Sequence, residues 1–201
     1  MVYTFIREAT VSDNVYAPPL APLERVVEQP CGFYVVSPAK LMTLATLTFG
    51  LYFYYWSYKN WSLYKRATQA DIWPWARGLL CIFFIHQLYR RANEKIRGGG
   101  RTVDWDFEQW ATVFVVLTVG ANLLDAVARR VDEFAFLGGW LLLMIPLRAF
   151  VVSKGQPMIN LAANDPEGLS NSRFSALNYL FMVPGALLWA LALFGVWVIH
   201  R

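Results

Sequence analysis

The chain has 201 residues, 57% of them hydrophobic and only 16% charged, with 18 basic and 14 acidic side chains and a net charge of +4. That length suits one domain. Soluble domains carry about 25% charged residues, and a water-borne fold of this size would leave large apolar patches uncovered. Composition therefore excludes the soluble nucleic-acid binder that positive charge alone would suggest, and favours acyl chains as the solvent.

Residues 1–36 read as a polar tail in which Pro18, Pro19, Pro22 and Pro30 break any long helix. The opening MVYTFIREATVSDNVYAPPLAPLE has no basic start followed by an apolar core, so insertion is expected to use an internal helix. CGFYVV, 31–36, has strand-like composition but is very short. The rest, 37–201, is expected to form a helical membrane domain.

Its first segment, 38–64, holds eighteen uncharged residues, Leu41–Tyr58, between Lys40 and Lys59. About 20 helical residues cross a hydrocarbon core of about 30 Å. Ser37 and Pro38 supply a cap and a first turn. Tyr52, Phe53, Tyr54, Tyr55, Trp56, Tyr58 and Trp61 close the run, and they read as an interfacial aromatic belt. Base stacking would want such rings interleaved with basic residues on a wet surface.

The second segment, 72–91, has only twelve uncharged residues between Arg77 and Arg90, which leaves open a short tilted span, a re-entrant piece or an interfacial helix. A polar connector, 93–106, leads to a third segment at 107–128 and a fourth at 134–152, with Pro146 as an expected kink. The fifth, 174–199, lies in a run of twenty-seven uncharged residues between Arg173 and Arg201. If all five cross, basic residues divide eleven to seven in favour of the N-terminal side; if the second is re-entrant they divide six to twelve, and the orientation reverses.

With FYVVSPAKLMTLATLTFGLYFYYWSYKNWSLYK, WPWARGLLCIFFIHQLYRR and the stretch Asn171, Ser172, Arg173, Phe174, Ser175 and Asn178 in view, the chain resembles a family of uncharacterised bacterial membrane proteins. The shared pattern is a Thr-x-Gly-Leu-Tyr-x-x-Tyr-Trp first helix, of domain-of-unknown-function type, and it covers roughly residues 33–195. The resemblance implies a multi-pass protein of the bacterial cytoplasmic (inner) membrane and brings no activity, ligand or catalytic residue with it.

Candidate sites are few. Asn160, Asn164, Asp165, Asn171, Arg173 and Asn178 flank the fifth segment, where they line a polar vestibule or hold a headgroup phosphate. The plainer alternative is a turn and a helix cap. Arg77 sits at membrane depth if the second segment is embedded, with Asp125 as a candidate partner; the plainer alternative is snorkelling and capping near segment ends. His86 lacks a second ligand at metal spacing, Cys31 and Cys81 are too few for a disulfide framework, and no nucleophile or phosphate-loop motif occurs. Arg90, Arg91, Lys95, Arg97 and Arg101 suit anionic lipid headgroups as well as a topology signal. Gly50, Gly120, Gly138 and Gly139 would allow close helix approach, including between copies.

The sequence thus predicts an all-α integral membrane bundle of four or five embedded helices with a polar tail. No catalytic residue, cofactor or metal is expected. The function expected is a non-catalytic component acting through helix packing, lipid or protein partners, with a homo-oligomer among them and no nucleic acid. The alternative is a small oligomeric channel or transporter whose pathway holds Arg77, Asn122, Asp125 and Asn178.

Overall fold

The computed structural model describes residues 32–131, 139 and 141–199. Residues 1–31 of the expected tail, the start of the fourth segment, Gly138 and His200 lie outside the described residues; the end of that tail is not a tail, since Phe33 and Val36 are buried in the core. Among the described residues there are seven α-helices and no strand.

Helix α1 (Pro38–Leu47) starts as its sequence suggests: the Ser37 hydroxyl accepts the Lys40 N–H and Pro38 takes the first position, where no N–H is needed. It stops after 10 residues, under about three turns. The Thr48 hydroxyl donates to Leu44 O and accepts the Tyr52 N–H, and Phe49 and Gly50 take φ of 53° and 86°. Two successive left-handed residues end the helix, and Gly50 makes the second one cheap. The stretch read as one helix over 38–64 is therefore two.

Helix α2 (Leu51–Thr68) buries Tyr52, Phe53, Trp56, Asn60 and Trp61, which share one face at helical spacing. Tyr54, Tyr55 and Tyr58 point outward. This corrects the belt expectation: Tyr52, Phe53, Trp56 and Trp61 are core, and only Tyr54, Tyr55 and Tyr58 are available to an interface.

The second segment is broken as well. Helix α3 (Pro74–Leu79) doubles back along α2: Lys65 Nζ donates to Ile72 O at 2.8 Å, and the Ser57 hydroxyl to Arg77 O at 3.2 Å. Gly78 is needed there, since a Cβ would lie 2.8 Å from Tyr58 Cβ. After a break at Leu80, helix α4 (Cys81–Gly98) packs antiparallel to α5 (Phe107–Ala128). His86 Nε2 meets the Thr112 hydroxyl at 3.0 Å, and Arg90 pairs with Glu108 at 3.5 Å. Asp106 caps α5 by accepting the Gln109 N–H.

Helix α6 (Met144–Ala162) is the hub, packed against α1, α4 and α5. Ala149, Val152, Gln156, Ile159 and Asn160 are all buried along it. Pro146 does not lie mid-helix as expected; it sits in the first turn of α6, where its missing N–H costs nothing, and the internal proline is Pro157. Tyr89 Oη lies where a Cβ on Gly155 would be, so α4 and α6 approach closely at that point.

Helix α7 (Ala176–Ile199) has α1 as its main packing partner. Its covered positions are Asn178, Met182, Gly185, Trp189, Ala192, Gly195 and Val196, a single seam recurring at steps of three and four. Trp189 Nε1 donates to Thr46 O at 2.8 Å, the Trp189 ring stacks on Phe49, and Gly185 leaves room for the Leu47 carbonyl. The remainder of α7 is exposed and apolar. Helices α5 and α7 are each long and apolar enough to cross a membrane.

Candidate functional site

The strand-like residues before α1 explain the polar groups inside the fold. Tyr34 to Val36 belong to no helix and pair with no strand among the described residues, Ser37 is extended at φ −66° and ψ 141°, and Val36 is fully buried. Buried backbone N–H and C=O groups need partners. Four side-chain amides supply most of them.

Asn60 Oδ1 accepts the Tyr34 N–H at 3.0 Å, and Gln156 Nε2 donates to Tyr34 O at 3.1 Å. Asn171 Nδ2 donates to Val35 O at 2.8 Å. Asn160 holds Val36 from both sides, accepting its N–H at 3.2 Å and donating to its carbonyl at 3.0 Å. The Asn171 carbonyl takes the Ser37 N–H. The amides also tie to each other and to the core: Gln156 Nε2 donates to Asn160 Oδ1, Trp56 Nε1 to Gln156 Oε1, and Asn60 Nδ2 to Trp56 O. Gly168, at φ 70°, passes so close that a Cβ would lie 2.6 Å from Asn160 Nδ2.

At the α1 edge of this seam Lys40 is buried, and among the described residues no carboxylate pairs with it. Its Nζ donates to Asn171 Oδ1 and to Arg173 O, both at 2.6 Å, and lies over the Phe174 ring. Asp165, in the turn after α6, accepts the Leu169 and Ser170 N–H groups at 3.1 and 2.9 Å. The Ser170 hydroxyl, and after it these N–H groups, hold its carboxyl below the usual range.

The six residues singled out from sequence separate into different places. Asn160 and Asn171 belong to the seam, and Arg173 joins it through its backbone carbonyl while its side chain is exposed. Asn178 is a cap for α7: its Oδ1 accepts the Ser175 N–H and its own N–H meets the Ser175 hydroxyl. Arg77 and Asp125 do not meet. Arg77 donates to Gln87 Oε1 at 2.8 Å and lies over the Trp61 and Phe84 rings at 4.3 and 5.0 Å. Asp125 pairs with Arg129 one turn along α5, thirteen residues beyond Thr112, which is level with His86; that is about 20 Å of helix.

Sequence reading missed Tyr34, Lys40, Trp56, Asn60 and Gln156. One signal was present. Ser153, Gln156 and Asn160 recur at three and four along a mostly apolar helix, apart from Arg148 and Lys154, so a polar stripe shares the buried face of α6. Chemically, the seam pairs amides with backbone and leaves the Lys40 ammonium on neutral acceptors. Among the described residues no group of three or more metal-ligating side chains converges. No family model matches the chain, and neither a curated protein nor a solved structure matches it.

Proposed function

We propose that this protein is a multi-pass, non-catalytic component of a lipid bilayer, acting through helix packing and through contact with lipid or a membrane partner. One observation carries the reading: α7 offers Leu177, Leu180, Phe181, Leu187, Leu191 and Phe194 to its surroundings, each more than half exposed, around all but one seam of the helix. In water such a surface exceeds what soluble monomers leave uncovered. In acyl chains it costs nothing. Helix α5 adds Val116 and Leu123, and its 22 residues span about 33 Å, enough for a core of about 30 Å.

In this reading the seam is the stabiliser of an embedded fold. With no water to serve the backbone at membrane depth, irregular chain survives only where protein satisfies it. The amides of Asn60, Gln156, Asn160 and Asn171 do that for residues 34–37. Helices α1 to α4 are embedded beside α5, α6 and α7, giving a helical bundle in which lengths differ. The bacterial cytoplasmic membrane is the proposed location, on the strength of the motif resemblance alone.

The channel reading draws less support, because its pathway residues are locally engaged: Asn122 donates to Thr118 O, Asp125 pairs with Arg129, and Asn178 caps its own helix. Alkaline carbonate extraction of membranes from expressing cells tests the proposal. The protein should remain in the pellet and need detergent for release. Recovery as a monodisperse species in detergent-free buffer would refute it.

A further inference from the structure

Residues 32–95 start, turn and finish beside one another. A Cβ on Gly32 would lie 3.4 Å from Ala67 Cβ, near the end of α2, and 3.2 Å from Lys95 Nζ, near the end of α4. Phe33 repeats the relation one residue on, with its ring 5.9 Å from that of Tyr64 and 5.8 Å from Lys95 Nζ. Between Ala67 and Lys95 the chain goes out and comes back. Ile72 is level with Lys65, Gly78 with Tyr54 and Tyr58, and Phe84 is again beside Trp61. Arg77 reaches across the bend to Gln87.

Lengths agree with a return. Helix α3 has 6 residues, about 9 Å, and the uncharged part of α4, Cys81 to Tyr89, is about 13 Å; even end to end they fall short of a core of about 30 Å. What the bend leaves uncovered is apolar and aromatic. Trp73 and Trp75 are stacked with centroids 6.1 Å apart and are 66% and 61% exposed, and Leu79 and Phe83 follow at 62% and 74%.

Resting on the membrane reading above, we propose that residues 70–95 are a half-depth hairpin, entering and leaving the bilayer on one face. Trp73 and Trp75 lie at the headgroup level of that leaflet, and Leu79 and Phe83 reach into its acyl chains. The occupant of this apolar surface is lipid. The charge around it argues the same way, because indoles prefer the interface and Lys65, Arg66, Arg91, Lys95, Arg97 and Arg101 surround the hairpin's two ends.

The same face receives the other ends of the fold. Arg90 pairs with Glu108 where α5 begins, Arg101 bonds Asn164 where α6 has ended, and Lys40 bonds the Arg173 carbonyl before α7. Helices α5, α6 and α7 then make the crossings while α1 and α2, ending beside Gly32, return to this face as the hairpin does, and among the described residues the far side holds Arg129, Arg130 and Arg148. The basic excess makes the hairpin's face cytoplasmic, against an anionic leaflet.

The test is labelling of full-length protein in membrane vesicles of known orientation with a membrane-impermeant maleimide. Single cysteines replace Ala70, Gly99 and, as the opposite marker, Arg130, in a chain carrying Cys31→Ser and Cys81→Ala. Ala70→Cys and Gly99→Cys should both label from the cytoplasmic face and Arg130→Cys only from the other. Labelling of positions 70 and 99 from opposite faces would overturn the hairpin while leaving the membrane reading intact, and labelling of all three from both faces of sealed vesicles would overturn the membrane reading itself. Should Cys81→Ala unfold the chain, a spin label at Trp73→Cys with Cys81 retained, itself buried, gives the second measurement. Its oxygen-to-nickel collision ratio should report headgroup depth, and a value typical of the bilayer centre would refute the placement.

Discussion

Removing the Asn160 side chain tests the seam most directly. In Asn160→Ala, Val36 loses the acceptor for its N–H and the donor for its carbonyl, and Gln156 loses one of its bonds. Val36 is 0% exposed and Asn160 is 0% exposed, so water does not replace the lost partners. An orphaned buried polar group costs about 1–3 kcal/mol, so the two Val36 groups together cost about 2–6 kcal/mol, centred near 4. Gln156 adds little, because it keeps the Tyr34 carbonyl and the Trp56 indole. The matched control is Asn178→Ala, which removes an exposed helix cap worth about 1 kcal/mol. Equilibrium unfolding of both variants in one detergent gives the comparison, and hydrogen exchange of the Val36 amide localises it. A loss in Asn160→Ala no larger than in the control, with Val36 still protected, would refute the claim that side-chain amides hold this segment.

Gly185→Ala should detach α7 from α1, because its Cβ would lie within bonding range of the Leu47 carbonyl; Gly195→Ala, with open space around it, should leave α7 in place. Cysteine cross-linking between α1 and α7 reads the difference, and equal yields would contradict the seam. Gly155→Ala overlaps the Tyr89 phenol and should cost about 1–3 kcal/mol in detergent unfolding, part of it recovered by Tyr89→Leu; no recovery would mean that the two helices are not limited by this contact. The lowered carboxyl of Asp165 gives a signed pH dependence. Its contribution is complete above the unfolded aspartate range near about 4 and is lost as pH falls through the still lower folded value. Amide exchange at Leu169 and Ser170 should therefore accelerate, relative to intrinsic rates, only in that acid window, and Asp165→Asn should abolish the dependence; protection that fades already at neutral pH would speak against it.

The all-α character and the apolar nature of α5 and α7 were legible because both depend on one-dimensional quantities: the length of an uncharged run and its mean hydropathy, which outweigh Gly120 in α5 and Pro184 and Gly185 in α7. The start of α1 was legible too, since Ser37 and Pro38 act on their own neighbours. The broken first and second segments were not. Gly50 and Leu80 sit in apolar runs that look continuous, and the reversals there depend on what packs alongside: Thr48 bonding to its neighbours, and Gly78 against Tyr58.

The polar residues divide along the same line. By itself the sequence determined which residues are amides, that Asn178 stands near a helix start, and that cations gather between apolar runs, because these are properties of composition and near-neighbour spacing. Only the tertiary structure decided that Asn60, Gln156, Asn160 and Asn171 converge on residues 34–37, from positions up to 137 residues away in the chain, or that Arg77 takes Gln87 and two rings in place of Asp125. A buried backbone group is satisfied by whatever polar atom the packing delivers to it. That delivery is set by how helices cross, and no local pattern encodes the crossing.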